Sequence, residues 1–158
     1  MDNQICCFAG LKRIPKQDSA EIKRHLESEI RKLIEQGVIT FCTGGEPGFD
    51  AMAACAVLKL KAEFPRIALV LVLPSLEQPE SYRGLNKKIY NQILGQMDMV
   101  VYTSEPYYRD CARKRDRYLV DISGVCICYL RDARCAAGYA VDYAREKGLR
   151  IINPTAAI

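Results

Sequence analysis

Ile67-Ala68-Leu69-Val70-Leu71-Val72-Leu73 is an unbroken apolar run bounded by Pro65 and Pro74. No polar residue alternates with the apolar ones, so neither face of the segment is suited to water. That is the pattern of a strand buried on both faces of a parallel sheet. A parallel strand needs crossover connections, usually helices, so segments of helical period are expected on either side of it.

They are present. Upstream, Gln4 to Ala9 reads as a first strand ending at Gly10. Asp18 with Glu21 then reads as a capping box opening a helix. That helix carries Ile22, Leu26, Ile30, Leu33 and Ile34 on one face and stops at Gly37. Val38 to Cys42 is a second strand. Phe49 to Glu63 is a second helix, with Ala51, Ala54, Cys55 and Leu58 expected against the sheet. Downstream, helices over Leu85–Leu94, Tyr107–Asp121 and Cys135–Lys147 alternate with strands over Met97–Tyr102, Val125–Leu130 and Leu149–Ile152. The alternation predicts right-handed crossovers and a Rossmann-like three-layer α/β/α sandwich around a mostly parallel sheet of about six strands. No linker or repeat interrupts it, so residues 1–158 read as one domain.

The bulk composition narrows the function classes. With 49% hydrophobic residues, the chain can build a core without metal or disulfide support. The 23 basic and 19 acidic residues are spread through the sequence, a balance that does not suggest a nucleic-acid footprint. No signal-peptide pattern and no apolar run of ~18 residues is present, so a cytoplasmic location without membrane association is expected. Of the eight cysteines, Cys6, Cys7, Cys42, Cys55, Cys126 and Cys128 lie in apolar segments and are expected to be reduced and buried. Their spacing lacks the turn geometry of a zinc knuckle, and no metal site is expected. His25, the only histidine, falls mid-helix and gives little support to histidine-based catalysis.

In an open parallel sheet the strand carboxyl ends share one edge, where ligands bind near the reversal of strand order. Here those ends are Ala9-Gly10-Leu11-Lys12, Thr43-Gly44-Gly45-Glu46, Pro74-Ser75, Thr103-Ser104-Glu105, Arg131-Asp132 and Asn153-Pro154. The turn Thr43-Gly44-Gly45-Glu46-Pro47-Gly48-Phe49-Asp50 is the principal candidate. Its glycines would let backbone approach a ligand, and the helix that follows points unpaired N–H groups toward it. The same glycines would equally serve a tight strand-to-helix turn, and Asp50 would equally cap the helix or reach a ligand hydroxyl. Arg109, Arg113 and Arg117 form a stripe expected to be a solvated helix face. Arg115 lies off that stripe, with its stem expected toward the sheet and its guanidinium at the strand ends.

Cys6-Cys7-Phe8-Ala9-Gly10, the Gly-Gly-x-x-Gly-Phe-Asp turn, Leu71-Val72-Leu73-Pro74, Arg115 through Ser123 and Ala140 through Ala144 together resemble the YpsA-like branch of the SLOG superfamily. This Rossmann-like group also includes the DNA-processing protein DprA and the lonely-guy phosphoribohydrolases. The resemblance covers nearly the whole chain and implies a pocket for a nucleotide or nucleotide-derived molecule; a regulatory or sensing module is the leading expectation. The expected ligand contacts are Gly10, Lys12, Thr43, Gly44, Gly45, Glu46, Gly48, Asp50, Arg115 and Asp132. No cofactor is expected to be required, a bound nucleotide or ADP-ribose-like ligand is anticipated, and a homodimer fits the class.

Two alternatives stand beside this one. Glu46 or Asp50 would serve as the catalytic carboxylate of a nucleotide N-glycosidic hydrolase. By analogy with DprA, the Arg109–Arg117 helix would bind single-stranded DNA, although nucleic acid is not expected as a partner. Two turns depart from the relatives: Ala9-Gly10-Leu11-Lys12 stands for Thr-Gly-His-Arg, and Cys135-Ala136-Ala137 for Gly-Gly-Thr. The lonely-guy hydrolase motif is absent at the second of these.

Overall fold

A computed structural model describes residues 2–75, 81–104, 110–130 and 137–154. Its six strands are β1 (Ile5–Gly10), β2 (Thr40–Thr43), β3 (Ala68–Leu73), β4 (Met99–Tyr102), β5 (Val125–Tyr129) and β6 (Arg150–Ile152). They pair in the order β4-β3-β2-β1-β5-β6, and every pairing is parallel. Helices α1 (Ser19–Glu35), α2 (Phe49–Lys61), α3 (Gly84–Leu94), α4 (Cys111–Asp121) and α5 (Gly138–Glu146) connect them. The Rossmann-like α/β/α sandwich expected from the alternation is the fold observed.

The decisive apolar run becomes β3, flanked by β2 and β4. Leu69, Leu71, Val72 and Leu73 are fully buried, as a strand covered on both faces requires. One core layer joins Phe8, Phe41 and Leu69 to α1 and α2. The other joins Cys7, Ala9 and Val72 to Leu119 and Val120 of α4 and to Ala140, Val141 and Ala144 of α5. Cys42, Cys7 and Cys126 stand in register across β2, β1 and β5 within that second layer. Burial, and then the neighbouring Cys7, pushes the Cys42 thiol up to about 12, which makes it inert at neutral pH.

The reversal of strand order falls at β1, which pairs with β2 on one side and β5 on the other. The connections leaving the carboxyl ends of β1 and β5 therefore run to opposite faces of the sheet, toward α1 and α5, and leave a crevice between them, the position at which this architecture binds ligands.

Three local expectations are corrected. A 3-10 turn over Lys16–Asp18 leads into α1, and Asp18 makes no side-chain cap hydrogen bond, so there is no capping box. The far end of α1 closes as anticipated: Val38 N–H donates to Leu33 O and Gly37 N–H to Ile34 O around a left-handed Gly37, a Schellman motif. In α2 Ala54 is buried as expected and Ala51 and Leu58 pack half-buried against the core, but the buried face centres on Phe49, Ala53, Ala54, Ala56, Val57 and Leu60, about one position round from the expected one. Phe49 sets that phase by packing directly over Gly10, which turns Cys55 outward, so the expectation that Cys55 is buried fails. No described helix is long and apolar enough to cross a membrane.

Candidate functional site

The turn after β2 is held by the protein's own groups. Phe49 N–H donates to Leu11 O at 2.9 Å, pinning the start of α2 to the end of β1. Gly48, at φ +80°, lies against the Leu11 and Lys12 carbonyls so closely that a Cβ would collide with them. Gly45, at φ +73°, sits above the Leu71 and Leu73 methyl groups. A Cβ on Gly44 would stand 2.7 Å from Arg115 Nη1 and 2.9 Å from Asp50 Oδ2. Much of the close approach that Gly44 and Gly48 allow is thus used internally.

Asp50 does not cap α2. The N-cap position is Gly48, which makes no side-chain cap bond, and Asp50 lies inside the first turn with its backbone carbonyl accepting from Thr43 Oγ1 at 3.3 Å. Its carboxyl is instead buried among charges. Burial raises it to about 7; Arg115 opposes the rise, and the Glu46 and Asp116 carboxylates add to it. A carboxyl that exchanges its proton near neutrality at a ligand-binding edge is a marker of functional sites.

Arg115 organises the cluster. Its guanidinium crosses from α4 to the strand ends as expected and is only 5% exposed. Nη1 donates to Gly44 O at 2.7 Å, Nη2 reaches Glu46 Oε1 at 3.3 Å and Nε donates to Asp116 Oδ1 at 2.8 Å. Burial disfavours its charge, but Asp116, Glu46 and Asp50 more than offset that and hold it protonated. Burial raises Asp116 in turn, against the pull of Arg115. With every nitrogen engaged, Arg115 acts as a clamp between the turn and α4. Lys12 is the cation left toward solvent, 61% exposed and 3.6 Å from Glu46.

Two cavities flank this cluster. One, of about 470 Å³, lies in the crevice at the β1/β5 reversal, lined by Gly10, Lys12, Glu46, Asp50, Arg113, Arg115, Asp116 and Tyr139 among others. The other, of about 490 Å³, lies between α2 and α3 and takes Lys12, Thr43, Gly45, Glu46, Gly48 and Asp50 into its wall. Lys12, Glu46 and Asp50 border both cavities. The structure therefore gathers all the described site candidates except Gly44 around two adjoining spaces, with Gly44 tucked beneath Arg115. Asp132, Cys135, Ala136 and Arg109 lie outside the described residues. Ala137, the last of the altered second turn, precedes α5 and borders the crevice.

Sequence reasoning missed Asp116, Tyr82, Tyr90 and Tyr139. Asp116 carried a signal, adjacency to the inward-facing Arg115. Tyr139 packs under the exposed Arg113 guanidinium, 4.8 Å from its ring centre, and accepts from Arg117 Nη1 at 2.9 Å. Nothing in local spacing pairs those residues across 22 positions.

The YpsA family model, described as the YspA SLOG family, matches residues 13–151. A UPF0398 protein of Halalkalibacterium halodurans is 33% identical over 142 residues, covering 84% of this chain and 75% of that protein. A UPF0398 protein of Lysinibacillus sphaericus is 32% identical over 87 residues, 54% of this chain and 49% of its own length. Among solved structures, DNA processing protein A (DprA) from Streptococcus pneumoniae superposes with a TM-score of 0.68 at 16% identity. That match covers 92% of this chain and 48% of the DprA chain. The Helicobacter pylori protein, described for its unique single-stranded DNA binding mode, gives 0.66 at 20% identity, covering 93% and 63%. The chain thus spans about half of the Streptococcus protein, and the Lysinibacillus match about half of that relative. These neighbours correct one expectation. The even spread of charge argues against nucleic acid as a partner, yet the Helicobacter protein, which shares this fold, is described for a single-stranded DNA binding mode.

Proposed function

The chain belongs to the YspA SLOG family, and from that premise we propose that it binds a nucleotide or nucleotide-derived small molecule in the crevice at the β1/β5 reversal, in a regulatory or sensing role. The observation that carries this reading is the convergence of Lys12, Glu46 and Asp50 on the wall of that crevice. Lys12 and Arg113 offer charge to phosphate, while Glu46 and Asp116 offer acceptors to ribose hydroxyls. Asp50, neutral for part of the time at pH 7, adds a donor where the other carboxylates are acceptors only.

Calorimetric titration with mononucleotides, dinucleotides and ADP-ribose tests the proposal. At least one should bind, and Lys12→Glu should weaken it about tenfold or more, the scale of one charge-assisted contact. An absence of binding across the panel would refute it.

A second reading is favoured by the fold shared with the Helicobacter DprA and by the Arg113–Tyr139 pair at the crevice mouth. Single-stranded DNA would stack a base on Tyr139 and set phosphates against Arg113 and Lys114. A gel shift that weakens with salt and disappears in Arg113→Glu supports this reading. A shift indifferent to both excludes it.

A further inference from the structure

The cavity between α2 and α3 lies outside the proposed nucleotide crevice and has a different chemistry. Its volume of about 490 Å³ lies in the range of small-molecule sites. Met52, Leu71, Ile89 and Ile93 give it apolar walls. Tyr82 and Tyr90 are both buried, meet edge to face at 5.5 Å, and Tyr82 is further fixed by donating its hydroxyl to Gly45 O at 2.9 Å. These rings are preformed surfaces suited to a flat partner.

The rim is cationic. Arg13 follows β1 and Lys23 projects from α1; both are exposed, both border the cavity, and neither is ion-paired with a described carboxylate. The carboxylates in the wall already have cationic partners: Glu46 is engaged by Arg115 and Lys12, and Asp50 lies beside Arg115. Cys55 is the exposed thiol among the described cysteines, and it stands on the same rim, within the electrostatic reach of Lys23.

We infer that this cavity is a second binding site, for a planar, largely apolar molecule carrying one anionic group, its body between Met52 and the Tyr82–Tyr90 pair and its charge at Arg13 and Lys23. The inference does not depend on the nucleotide reading: Lys12, Glu46 and Asp50 border both spaces, but Arg13, Lys23, Met52, Tyr82 and Tyr90, which carry it, border this cavity and not the crevice.

The probe is 1-anilinonaphthalene-8-sulfonate, an aromatic body with one sulfonate, and its control is the uncharged N-phenyl-1-naphthylamine. The sulfonate should bind saturably and shield Cys55 from N-ethylmaleimide, read on the Cys55 peptide by mass spectrometry. The double variant Arg13→Glu/Lys23→Glu should weaken the sulfonate about tenfold while leaving the uncharged control within about twofold. Arg113→Glu, at the other crevice, should change neither. Non-saturable binding, an unshielded Cys55, equal loss of both probes in the double variant, or loss in Arg113→Glu would each overturn the inference. Both reversed residues are exposed, and circular dichroism verifies that the variants stay folded.

Discussion

Arg115 Nη1 donates to the carbonyl oxygen of Gly44 at 2.7 Å, joining residues 71 positions apart. The contact ties the turn after β2 to α4, which packs on the opposite face of the sheet from α2, and so the carboxyl edge is spanned by one side chain. It also accounts for the glycine, because a Cβ at 44 would fall on the same guanidinium nitrogen.

Arg115→Met should therefore cost about 3–5 kcal/mol of stability, the range for removing one partner of a buried ionic cluster. Asp50 would be left buried, and Asp116 and Glu46 half-buried, without their shared cation, and the Gly44 acceptor without its donor. Arg115→Lys should recover only part of this, since one ammonium cannot reach three acceptors held by a planar fork. Urea unfolding of the three proteins measures it. A loss below about 1 kcal/mol in Arg115→Met would mean that the clamp is not structural.

Two left-handed glycines offer a controlled comparison. Gly37, at φ +103°, has open space where a Cβ would go, so Gly37→Ala should cost only the conformational penalty of about 1–2 kcal/mol. Gly48→Ala adds to a conformational penalty at least as large, at φ +80° and ψ −122°, a collision with the Leu11 and Lys12 carbonyls, which are backbone and cannot rotate away. It should be the more damaging by at least about 1 kcal/mol, the lower end of overpacking costs. Equal losses in denaturant titrations would show that the turn after β2 can shift from the end of β1.

The fold was legible because its signals are local: the apolar run of β3, the apolar face of α1 and the glycine ending it each lie within a few residues. The phase of α2 was not, because Phe49 chooses its orientation by packing over Gly10, a contact between distant segments. The site was half legible for the same reason. Spacing within α4 pointed Arg115 inward, but not onto the Gly44 carbonyl. The glycine-rich turn was recognisable, but no local pattern says whether a ligand or Leu11 and Lys12 will occupy the space it opens. The aromatic walls were hidden because Tyr82, just before α3, and Tyr90, within it, reach Leu71 and Leu73 of the sheet only through tertiary packing.

Asp50 gives stability a pH dependence of defined sign. Its carboxyl sits at about 7 in the folded protein against 3.8 as an ordinary side chain, so between those values the native state holds a proton that the unfolded chain releases. Stability from this group is fully present below about 4 and is lost as pH rises through about 7. Asp116, also raised, acts in the same direction, whereas Asp98 and Glu63 are lowered and act below that window. Asp50→Asn should flatten the decline in melting temperature between pH 5 and about 8. An unchanged slope would place the ionisation elsewhere.

The most direct test of how the site is framed pairs Gly10 with Phe49. The Phe49 ring lies where a Gly10 Cβ would stand, and it cannot retreat. It is fully buried, stacked 6.1 Å from Tyr129 and set edge-on to Phe8 at 6.5 Å. Gly10→Ala should thus destabilise by about 1–3 kcal/mol, an overpacking cost. Phe49→Ala should also destabilise, since it removes a buried aromatic ring. Together they should cost less than their sum by about 1 kcal/mol or more, because alanine lacks the Phe49 Cγ and Cδ2 atoms that the new methyl would meet. The same double variant should keep the Phe49 N–H to Leu11 O bond that seats the start of α2, a backbone contact indifferent to either side chain. Strict additivity in unfolding free energies would mean that the ring adjusts freely, and that Gly10 is needed for some reason other than the packing of Phe49.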